Sequence, residues 1–158
     1  MTRNTPAKAL LAGLLTALSL PACGTDGDAL CAQNAKTEYA EAPQITGFSF
    51  VEHLNGDPWT LIFSASFADI DGDLGQLGKA EIFLNGKGPP ERIELQELFS
   101  QSAVAIDATE GTLAIPLRFG ESIKSGTEVQ LGLQFLDANS FRSNCYSIEL
   151  MFDVSDAP

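Results

Sequence analysis

Three aspartates at alternate positions, Asp69, Asp71 and Asp73, are the residues of this chain whose type and spacing best fit a defined chemistry. Carboxylates two positions apart can converge on one hard cation, and Ca2+ takes about six to eight oxygen ligands from loops of this kind. Asp137 and Asn139, in a second polar loop, could add oxygens to the same ion, and Asp107 and Glu110 are further donors within the chain. The spacing departs from the helix-flanked calcium loop. Gly75 and Glu81 each fall one position late for its turn glycine and closing glutamate, and the flanking segments read as strands. The same Asp and Gly residues also make Asx-turns at an exposed loop end with no metal present. The sequence supports both readings.

Catalysis has few other residues to draw on. His53 is the single histidine, beside Glu52 and near Asn55 in a stretch that reads as a solvated loop. A zinc centre recruits several His or Cys ligands, and neither a Gly-x-Ser-x-Gly elbow nor a phosphate-cradling glycine loop occurs. Many carboxylates are present, but no pair is singled out for glycosidase-type acid and base work. The expectation is a protein that is not an enzyme. With 21 acidic residues against 9 Lys and Arg, the net charge is −12. A surface of that sign repels phosphate backbones and excludes nucleic acid as a main partner.

The N-terminal segment has a different logic. Arg3 and Lys8 supply the positive charge of residues 1–8, and residues 9–20 form an apolar run with Thr16 and Ser19 as its weak polar members. That length fits the core of a secretory signal peptide and falls short of the ~20 residues a helix needs to cross a bilayer. The run ends in Leu20-Pro21-Ala22-Cys23. This tetrapeptide resembles the lipobox of bacterial lipoproteins cleaved by signal peptidase II, with Pro21 standing where Ala, Ser or Thr is commoner. The resemblance implies removal of residues 1–22, a diacylglyceryl group on Cys23 and an acyl chain (palmitate or similar) on its amine. It places the protein on the cell envelope, held to a membrane by lipid. Gly24 in place of Asp after the cysteine implies the outer membrane over the inner, by the family's sorting rule. Each buried methylene contributes about 0.8 kcal/mol, so two or three chains hold a protein stably.

Setting Cys23 aside leaves Cys31 and Cys145, an even pair in an oxidising compartment and therefore a predicted disulfide. Residues 23–43, rich in Ala, Gly, Asp and Thr, read as a lipidated tether that would span roughly 25 Å as a coil. A bridge at Cys31 would leave only the stretch from Cys23 to Cys31 free.

Positioning the acidic loops falls to residues 44–158, where the apolar period is two. Leu61, Phe63, Ala65 and Phe67 face one way, as do Ala80, Ile82 and Leu84, then Leu113, Ile115 and Leu117. Val129, Leu131, Leu133 and Phe135 follow, and Ile148, Leu150, Phe152 and Val154 close the series. Ile45, Phe48 and Phe50 mark a first strand, and Pro116 marks its strand as a sheet edge. Residues 91–102 fit either a strand or a helical turn through Leu95, Leu98 and Phe99, and a short strand is predicted over residues 103–106. The expected fold is all-β: one two-sheet antiparallel sandwich of about seven strands. It resembles the Ig-like and fibronectin-III-like domains of bacterial surface lipoproteins, where a strand running into an Asp-rich turn recurs. That topology places the loops after the second and sixth strands at one end, together with Cys145.

The expected function is a lipid-anchored, non-enzymatic envelope module that binds a protein or glycan partner or serves a structural role. Trp59, Phe83, Phe141 and Tyr146 are its candidate contact residues. The alternatives are a calcium-stabilised adhesion domain and an accessory subunit of an envelope hydrolase.

Overall fold

The computed structural model describes residue 31 and residues 40–153; the leader, Cys23, Val154 and most of the tether lie outside the described residues. Seven strands form two antiparallel sheets. One holds β1 (Gln44–Leu54), β2 (Asp57–Ala68) and β5 (Glu110–Arg118), in the order β1-β2-β5. The other holds β3 (Lys79–Leu84), β4 (Glu91–Glu94), β6 (Thr127–Leu136) and β7 (Tyr146–Phe152), in the order β4-β3-β6-β7. Two short helices, α1 (Leu74–Leu77) and α2 (Leu95–Gln101), cover one end. The all-β two-sheet sandwich expected from the period of two is therefore the fold, and β5, which carries Pro116, is an edge strand.

The alternation drives the packing. Leu61, Phe63, Ala65 and Phe67 of β2 are buried, as are Leu113, Ile115 and Leu117 of β5 and Val129, Leu131, Leu133 and Phe135 of β6. Fully burying each of the larger of these side chains contributes roughly 1.5–3 kcal/mol. Trp59 stacks on Phe152, centroid to centroid 5.6 Å, and closes the far end of the core. The odd spacing of Ile45 and Phe48, both buried, reflects a register shift between Ile45 and Gly47 that turns both inward. A second shift between Phe50 and Glu52 follows, and Phe50 is 41% exposed.

Residues 91–102 are both things at once. Glu91–Glu94 pair with β3 as β4, and Leu95, Leu98 and Phe99 then fall on the buried side of α2. The strand predicted over residues 103–106 is absent. The helix instead ends in a Schellman motif, with Val104 N–H donating to Phe99 O (3.0 Å), Ala103 N–H to Ser100 O (3.2 Å), and Ala103 at φ 54°. The apolar 3,4 spacing of α2 outweighed the weak β signal of Val104 and Ile106, because it buries Leu95, Leu98 and Phe99, while Val104 is only partly buried and Ile106 is exposed. The connection to β5 is accordingly a turn and not a hairpin.

Candidate metal centre

The acidic loop follows directly from the end of β2. Ala68 is the last paired residue of the strand, and Asp69 N–H donates to Thr109 O (2.7 Å), which fixes the loop against the segment preceding β5. Gly72, at φ 70°, lets the chain turn there; a Cβ at this position would lie 2.7 Å from Asp107 O, so the loop sits tightly on its neighbour. Asp69 then accepts from Leu74 N–H through Oδ2 (2.9 Å) at the start of α1. Carboxylate oxygens of Asp69, Asp71 and Asp73 lie within 4.8 Å of one another.

The second loop, between β6 and β7, meets the first. Asn139 Nδ2 donates to Asp73 Oδ2 (2.7 Å). Asp137 is 3% exposed and shapes its own loop: its Oδ1 accepts from Phe141 N–H (2.8 Å), and Ser140 N–H donates to its carbonyl (3.1 Å). The expected gathering of the loops after the second and sixth strands is thus the geometry observed. Cys31 and Cys145 are joined by a disulfide at this same end, their Cα atoms 5.9 Å apart.

The electrostatics of the cluster are one-sided. Burial pushes the Asp69 carboxyl up to about 6, only partly offset by the Leu74 N–H, and the charges of Asp71 and Asp73 push it the same way. Burial likewise raises Asp73, helped by Asp137 and Asp71. Asp137 is raised by burial and by Asp71, against the lowering effect of the Phe141, Asn139 and Ser140 N–H groups. The ion pairs among the described residues join Lys79 to Glu94, Arg92 and Arg142 to Glu81, and Arg118 to Asp57 and Glu121; none reaches this cluster. Its donors are oxygens alone, which suits Ca2+ or Mg2+ and not the nitrogen- and sulfur-seeking metals.

Three polar features escaped the reading of the sequence. Asn144 bonds the backbone of Ile45 in both directions, Ile45 N–H to Oδ1 (2.7 Å) and Nδ2 to Ile45 O (3.0 Å), and so pins the start of β1 to the second sheet. Glu81, on the strand face that reads as solvent-exposed, is 1% exposed. It accepts from Arg92 (Nη2, 2.8 Å) and from Arg142, whose Nη1 also reaches Gln134 Oε1 (3.1 Å). His53, in β1, turns Nδ1 to Pro58 O (3.1 Å) and packs edge-on against Phe50. It lines a cleft of about 410 Å³ with Phe50, Leu150 and Met151, between the β1 and β7 edges. No family model and no curated protein sequence matches this chain.

Proposed function

We propose that this protein is a lipid-anchored, non-enzymatic module of the bacterial cell envelope that presents its β-sandwich to a protein or glycan partner. The disulfide between Cys31 and Cys145 carries this reading. Such a bond fits an exported chain in an oxidising compartment, and it ties the segment that follows Cys23 to the body of the sandwich. The lipobox-like Leu20-Pro21-Ala22-Cys23 supplies the anchor and Gly24 favours the outer membrane. Phe50, Val51, Leu54 and Met151, each at least 41% exposed around the β1 and β7 edges, supply apolar surface of the kind partners use.

Intact-mass spectrometry of the protein expressed in a bacterial host tests the placement in one measurement. The expected species begins at Cys23, carries diacylglycerol and an amide-linked acyl chain, and is two hydrogens lighter than its dithiol form. Recovery of the uncleaved leader on a soluble, unacylated chain overturns the proposal.

A further inference from the structure

Among the described residues, three buried side-chain polar atoms have no hydrogen-bond partner: Asp69 Oδ1, Asp73 Oδ1 and Asp137 Oδ2. Two are carboxylate oxygens of the Asp69–Asp73 cluster, and the third belongs to Asp137 on the adjoining loop, close enough for its charge to act on Asp73; Asp69 and Asp137 are only 1% and 3% exposed. A buried acceptor left unpaired is destabilising, and more so when charged. Folded proteins leave only a few such atoms scattered through a domain, and three on two adjoining loops point to a shared partner such as an ion.

The other oxygens of these groups are already engaged in ways that aim the orphans. Leu74 N–H holds Asp69 Oδ2, Asn139 Nδ2 holds Asp73 Oδ2, and Phe141 N–H holds Asp137 Oδ1. One oxygen of each carboxylate is thus fixed by the fold and the other is free for a ligand. Asp71, exposed and within reach of Asp69 and Asp73, adds a fourth carboxylate at the mouth.

We propose that Asp69, Asp71, Asp73 and Asp137 form a calcium site that locks the β2–α1 loop to the β6–β7 loop at the disulfide-bearing end of the sandwich. Ca2+ fits better than Mg2+ because the donors come from two loops whose oxygens are spread over several ångströms, and Mg2+ demands a tight octahedron and keeps its water. The site does not depend on the lipid anchor, so it stands or falls separately from the envelope placement.

The test is thermal unfolding and calorimetric titration of the purified full chain, with CaCl2, MgCl2 or EDTA. Affinities of extracellular calcium modules run to about 0.1–1 mM. At 10 mM CaCl2 that range raises Tm by roughly 5–15 °C over EDTA. Asp69→Asn and Asp137→Asn, which keep an acceptor for the backbone bonds, should abolish the rise while melting no lower than wild type in EDTA. Asp71→Asn, at an exposed position, keeps the assay informative if a buried variant misfolds, and should weaken binding severalfold. No calcium-dependent rise, or a full rise retained in Asp71→Asn together with either buried variant, overturns the site. An equal rise with MgCl2 overturns the assignment to calcium.

Discussion

At the scale of single residues, the acidic cluster makes the metal-free chain respond to pH in an unusual direction. Asp69, held up to about 6, binds its proton more tightly in the folded chain than in the unfolded one. Its contribution is therefore fully present below the unfolded value near 4 and is lost as pH rises through about 6. In EDTA, stability should fall between about pH 4 and pH 7 by on the order of 2 kcal/mol, read as the urea midpoint at each pH. Asp69→Asn should flatten that part of the profile; an unchanged profile in the variant would show that other groups govern it. Asn144 is the second residue whose removal should be felt. Asn144→Ala deletes both bonds to Ile45 and leaves a partly buried N–H and C=O unpaired, a loss of about 2–3 kcal/mol that denaturant unfolding would register. The cluster was legible in the sequence because carboxylates at spacing two declare themselves. Asn144 was not, since an Asn in a polar loop looks the same whether it caps a strand 99 residues away or faces water.

Elements show the same division between local pattern and long-range pairing. Period-two alternation gives β2 and β5 directly, because each has one face in the core and the other more open to water, and it gives the core face of β6, whose other face is buried as well at Gly132 and Gln134. It fails for the outer face of β3, where Glu81 lies opposite Arg92 of β4 and Gln134 of β6 and becomes a buried hub. Nothing in the residues around Glu81 announces Arg142, which lies 61 positions away. Arg142→Met removes the more buried of the two guanidinium partners and also strips Gln134 of its donor, so it should cost about 2–3 kcal/mol, more than Arg92→Met. Equal losses from the two would show that the deeper burial of Arg142 and its bond to Gln134 add nothing. The end of α2 invites the opposite change. Ala103 occupies the left-handed position that a Schellman motif ordinarily gives to glycine. Ala103→Gly relieves that strain and should stabilise by about 0.5–1 kcal/mol, a shift of the urea midpoint with unaltered slope.

On the scale of the whole molecule, one covalent bond would decide how the sandwich stands relative to the lipid anchor proposed at Cys23. The disulfide closes a separation of 114 residues, and cross-linking a loop that long removes up to about 4–5 kcal/mol of entropy from the unfolded chain. Its mechanical effect is larger. Chain geometry limits the eight peptide units between Cys23 and Cys31 to a reach of about 28 Å, whereas the path to Gln44 at the start of β1 could extend to about 75 Å. Because Cys145 precedes β7 beside the acidic loops, in the proposed anchored form the bond would also set which end faces the membrane: the aspartate cluster proximal, and the β1–β2 and β5–β6 turns distal. A partner approaching from outside would then meet the distal turns and the cleft beside Phe50 and Met151, while the cation site would stiffen the base. In supported bilayers carrying the lipidated protein, neutron reflectometry should place the domain within that shorter reach. The Cys31→Ser, Cys145→Ser double variant should sit farther out and vary more in height, and it should melt lower. Identical profiles for the two proteins would mean that the chain between Cys23 and Gln44, and not the disulfide, holds the sandwich to the surface.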